Sequence, residues 1–215
     1  MSAAVGGALA WLVSRPLGLA PVGLVVGGIN GAVCGARAVY DWRRGTGVAA
    51  FVVDSTWSLP NTAAGVALHG ASAVRGDGGY VDGLSRRRNR HVYARGFTLR
   101  RGFALSMGNV VTGAGDVDGE SPRGARRRQL VERHEGLHIR QARTLGPLFP
   151  LLYAGWMLGG ALYGTVLWVR HRDEPWSRLV ESAAYYRNPF EVAAYRRDGV
   201  WPPSRLHPLL APRRL

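Results

Sequence analysis

Residues 16–36 carry no charge, and Gly23, Gly27, Gly31 and Gly35 recur within them at every fourth position. A four-residue step keeps side chains on one helical face, so this pattern predicts an apolar helix with a glycine-lined face. In water each interior glycine costs a helix about 1 kcal/mol relative to alanine, whereas a small-xxx-small face lets two backbones approach closely. The expected setting is a membrane or a tightly packed pair of helices, with Arg37, Arg43 and Arg44 at the boundary. Self-association through the face from Gly23 to Gly35 follows as an expectation. Residues 46–74 are weakly apolar but contain Asp54, Ser55, Asn61 and His69, which predicts a segment lying on the membrane or returning through it. Residues 1–13 are apolar without a basic leader, and no secretory signal is expected.

Further along, residues 75–90 are rich in Gly, Asp and Arg and read as a linker loop. Residues 91–99 and 103–112 carry β-branched and aromatic side chains on either side of Arg100, Arg101 and Gly102, which predicts a β-hairpin. Ser121 before Pro122 is a helix start and Gly146 before Pro147 a helix stop, with about 23 residues between them. Residues 145–169 form a charge-free run rich in Leu, Trp and Tyr, with breaks available at Pro147, Pro150 and the Gly159-Gly160 pair. A helix buried in the fold or dipping into the membrane without crossing it is expected there. The organisation expected is a membrane-associated segment 1–74, the linker 75–90, a chemical domain 91–203 and an extended tail 204–215.

The 215 residues, 47% of them hydrophobic and 20% charged, suit one folded domain with a membrane-associated segment and exclude a mainly disordered chain. All 28 basic residues are Arg against 14 acids, a net charge of +14 that favours anionic surfaces without choosing among them. The runs 86–90 and 123–128 lack the interleaved aromatics that stack on bases, so solvated or lipid-facing charge is expected and nucleic acid is not. Cys34 stands alone, which excludes an intrachain disulfide.

Within the predicted helix stands His134-Glu135-Gly136-Leu137-His138, an HExxH motif. The four-residue step puts both imidazoles on one face a turn apart, where they can bind one metal, with Glu135 beside them as a general base toward water. With six His and six Glu in the chain, chance produces this pattern on the order of 0.005 times. Val131, His134, His138, Gln141 and Leu145 form one inward stripe. A third ligand must come from elsewhere. Glu181 and Glu191 each open an ExxAY segment, but Glu191 also follows Asn188-Pro189-Phe190, where a capping box would direct it to the Asn188 amide.

Taken together, HExxHxxQ and the downstream Asn188, Pro189, Phe190, Glu191, Ala194 and Tyr195 resemble the gluzincin metallopeptidases, in particular bacterial zincin-like proteins. The resemblance covers residues 92–203. It implies an α+β zincin-like domain with a hairpin before the HExxH helix, following the glycine-rich apolar helices already expected at the N-terminus. It implies zinc held by His134, His138 and Glu191, with Glu135 as base and Tyr195 in the place of the usual second-shell acid, where it would assist the oxyanion. A strand near residues 105–111 would align a peptide substrate. The expected activity is peptide-bond hydrolysis at a bacterial cell membrane, with a non-enzymatic membrane scaffold or a degenerate zincin carrying a structural zinc as the alternative.

Overall fold

The computed structural model describes residues 1–74, 79–100, 102–117 and 119–212. The first four residues of the expected linker and the last three of the expected tail lie outside them. The fold is mostly helical with one small sheet, an α+β composition. Contacts divide the chain into two compact units, Met1–Pro147 and Leu148–Leu215.

The first unit opens with a helical hairpin, α1 (Ser2–Ser14) against α2 (Ala20–Ala36), turned by Arg15–Leu17 and Gly18 at φ +70°. The spaced glycines are what lets the helices touch. A Cβ on Gly27 would lie 2.3 Å from the Gly6 carbonyl oxygen, and one on Gly31 2.3 Å from that of Ser2. The face expected to join two copies is packed against α1 of the same chain. Two further helices follow, α3 (Gly45–Ser55) and α4 (Leu59–Val74). Their polar residues point inward. Asp54 accepts from Tyr40 Oη at 2.7 Å and from Arg143 at 2.7 and 2.8 Å, and the Asn61 amide donates to the Gly146 carbonyl at 2.8 Å.

The predicted loop contains a short helix, α5 (Asp82–Ser85), with Leu84 and Ser85 buried. Beyond it the sheet differs from the expected hairpin. Strands β1 (His91–Val92), β2 (Leu105–Met107) and β3 (Val110–Thr112) lie in the order β1-β3-β2. The antiparallel pair is β2 with β3, and β1 runs parallel to β3 on its other side. The turn thus falls at Gly108 and Asn109, inside the run read as a single strand. Gly108 has φ +55°, the conformation a tight two-residue turn reserves for glycine.

The predicted helix 122–145 is one rod in three parts: α6 (Pro122–Gln129), a π turn (Leu130–Glu135) and α7 (Gly136–Leu145). Ser121 caps it by accepting from the Gly124 amide at 3.0 Å. Val131 and Ile139, on either side of the motif, are buried in the cluster that holds Val92, Val111, Ala114 and Val117. The rod is thereby seated on the sheet. The basic runs are partly structural: Arg127 donates to the carbonyls of Ala114, Gly113 and Gly102, Arg128 to that of Val117, and buried Arg90 to that of Leu84. Solvated or lipid-facing charge was expected of both runs, and Arg90, Arg127 and Arg128 depart from it because nearby loops leave carbonyls that need donors.

The second unit starts with α8 (Leu148–Arg170), 23 residues without interruption. Pro150 lies in its first turn, where a missing amide costs nothing, and the Gly159-Gly160 pair does not break it. Nor is it buried within its unit, since only Gly164 among its residues is. One side packs on α9 (Trp176–Glu181) and a second π turn (Ser182–Tyr186). Cβ atoms on Gly160 and Gly164 would lie 2.6 and 2.7 Å from Ala184 and Val180. The closing helix is α10 (Pro189–Asp198), and a 3₁₀ turn (Pro208–Leu210) follows. The expected tail is held through His207, whose amide donates to Ser182 Oγ at 2.9 Å and whose ring meets Glu174 at 3.0 Å.

Candidate metal centre

The first unit contributes the histidine pair. His134 and His138 are 3% and 8% exposed, with ring centroids 5.0 Å apart and planes at 76°. His138 Nδ1 is 2.8 Å from Gln141 Oε1. An amide oxygen only accepts, so Nδ1 carries the proton and Nε2 keeps its lone pair outward. The stripe read from the sequence faces inward as expected at Val131, His134 and His138. What the spacing did not reveal is the π turn ending at Glu135. A wider turn makes consecutive side chains diverge less, and both His134 and Glu135 are buried. Burial draws the neighbouring Arg127 guanidinium below its ordinary value, while the Glu135 carboxylate works against that shift.

The second unit contributes Glu191, 3% exposed, on the first turn of α10. It does not close a capping box. The Asn188 amide donates to the Tyr185 carbonyl at 3.0 Å, and the cap is made by Asn188 Oδ1 accepting from the Phe190 amide at 3.1 Å. Glu191 Oε1 instead accepts from Tyr153 Oη at 2.8 Å, and the Tyr153 and Phe190 rings stack with centroids 6.0 Å apart. Tyr153 lies in the long apolar run, where nothing in the sequence marked it as a partner for a carboxylate. Tyr195 is one turn beyond Glu191 on α10, half-buried, with its ring 6.1 Å from that of Tyr186. Glu181 ends α9 and is only half-buried. Asp198 is 1% exposed and shares a helical face with Glu191, a placement the sequence reading passed over.

His134, His138 and Glu191 each offer one ligand atom from a buried side chain. Imidazole nitrogens and carboxylate oxygens are among the ligand types that zinc takes. A second polar cluster has another character. Cys34 Sγ lies 3.1 Å from His91 Nε2, and Tyr80 Oη 3.1 Å from His91 Nδ1. Burial pushes the thiol up to about 12 and the imidazole down to about 3, so the pair is neutral and holds no activated thiolate. In comparisons with protein-family models, curated proteins and solved structures, the chain finds no match.

Proposed function

We propose that the protein is a membrane-associated zinc metallopeptidase in which His134, His138 and Glu191 hold the metal. The single observation that carries this reading is the burial of an HExxH histidine pair with one imidazole oriented by an amide oxygen. Support from the second unit comes from Glu191, whose carboxylate is buried and committed to a tyrosine rather than to its helix cap. When bound, zinc supplies Lewis-acid polarisation of a carbonyl and lowers the pKa of water. Glu135 takes the proton from the attacking water and returns it to the leaving amine. Gln141 keeps His138 in the Nδ1–H form, and Tyr153 orients Glu191. Tyr195 is proposed to donate toward the developing oxyanion.

Membrane association is supported by α8, whose 23 residues hold no charge before Arg170.

Zinc per chain, measured after dialysis against a weak chelator, tests the ligand set. About one zinc in the wild type and little in His138→Ala or Glu191→Ala is expected. Glu135→Gln should retain zinc while losing hydrolysis of a mixed peptide library. Absence of zinc from the wild type overturns the reading, and loss confined to His138→Ala moves the third ligand to Glu181.

A further inference from the structure

The second unit contains a groove of about 900 Å³ along α8, walled by Leu152 and Trp156 on one side and by Leu209 and Leu210 on the other. That volume lies within the range of small-molecule sites, as does the mix of apolar walls with few polar groups. Gly155 and Gly159 form part of its lining, one helical turn apart, and a Cβ on either would meet nothing within 4 Å. Space is therefore left along the helix where any other residue would intrude.

Two observations choose the occupant. The groove offers no backbone edge: α8 amides are spent within the helix, and those of Leu209, Leu210 and Ala211 donate to His207 Nδ1, the His207 carbonyl and the Pro208 carbonyl. An extended peptide would find few backbone donors for its own carbonyls, whereas a methylene chain needs none. The other observation is charge. Among the described lining residues, Arg187 is the one ionisable group besides the Tyr163 phenol, and it is an exposed residue. A cation at the edge of an otherwise apolar channel suits a chain that ends in an anion.

We infer that this groove binds a long-chain fatty carboxylate, with its acyl chain over Gly155 and Gly159 and its carboxylate on Arg187. The inference goes beyond the metallopeptidase reading and needs no metal, so it stands or falls separately.

The test is titration of the full-length protein in nonionic detergent with 11-dansylaminoundecanoate, after subtraction of protein-free micelles, with and without chelator. Saturable binding of about one probe per chain is expected, unaffected by the chelator. Gly159→Leu fills the groove without a clash and should weaken binding at least tenfold, while Gly159→Ala produces a smaller loss in a better helix former. Arg187→Gln should weaken the carboxylate about fivefold, the worth of one exposed ion pair, and leave the corresponding long-chain alcohol unchanged. Uptake that never saturates, binding indifferent to Gly159→Leu in a chain that unfolds at the wild-type temperature or above, or displacement by an apolar peptide that outcompetes dodecanoate would each overturn it.

Discussion

Gln141 and Tyr153 each engage one polar atom of a proposed metal ligand. One holds the proton of His138 at Nδ1, and the other occupies one oxygen of Glu191. Outer partners of this type are commonly worth tenfold to a hundredfold in metal affinity. Gln141→Leu is therefore expected to weaken zinc by about that factor in a chelator competition, with Gln141→Glu restoring most of the loss; an unchanged affinity in Gln141→Leu would remove the assigned role. At this scale the sequence was informative wherever spacing alone sets geometry. His134 and His138 could be paired from a four-residue step. Glu191 could not be chosen over a cap or over Glu181 by spacing, because ExxAY occurs twice and Asn-Pro-Phe-Glu reads equally as a capping box. Where the Asn188 amide goes excludes the capping box, and that is a fact of the folded turn.

Helices whose ends carry caps and breakers were legible as elements. Ser121-Pro122 and Gly146 bracket the HExxH rod where the sequence puts them. Its π turn was not legible, since an extra residue in one turn has no local signature. The hairpin was displaced because strands of two and three residues are too short to show alternation, and Gly108-Asn109 was read as strand interior. The glycine repeat had two readings, lipid or a tight pair, and contact with α1 supplies the tight pair. A paired test belongs to this element. Gly27→Ala places a Cβ 2.6 Å from that of Ala10 and should destabilise by roughly 1–3 kcal/mol despite its better helix propensity. Its neighbour Gly28 has open space around it, so Gly28→Ala should stabilise by up to about 1 kcal/mol. Thermal unfolding of the two variants checks this, and equal shifts of one sign would contradict the close packing of α1 on α2.

For the whole molecule, the response to acid depends on histidines buried in neutral form. His91 is faced by Cys34, Tyr80, His69 and the charge of Arg37, and burial before all else draws it from 6.5 to about 3. His69 shifts in the same direction, by burial and by Arg37. Below pH 6.5 the unfolded chain takes up a proton that folded His91 refuses. Its contribution to stability is thus fully present above that pH and is lost as pH falls toward 3. The slope approaches roughly 1.4 kcal/mol per pH unit for one proton. Melting temperature measured from pH 7 to 4 should fall less steeply in His91→Gln than in the wild type, and identical slopes would refute the assignment.

The division of the chain after Pro147 had no counterpart in composition, which suggested boundaries near residues 74 and 91. Composition follows the solvent a segment prefers, whereas a compact unit is defined by contacts between distant residues. Asp54 and Arg143 make the point: 89 positions apart, they form an ion pair that ties α3 to the HExxH helix. By itself the sequence determined the helix carrying the motif, the inward face of its histidines, the glycine-lined face of α2 and the apolar length of α8. These depend on periodicity, caps and hydropathy, which act over a few residues. Only the tertiary structure decided what covers that glycine face, which partners Gln141 and Glu191 take, where the strands pair and that a groove opens along α8. Those depend on which surfaces meet, and burial and hydrogen-bond satisfaction select among meetings that local pattern leaves equally open.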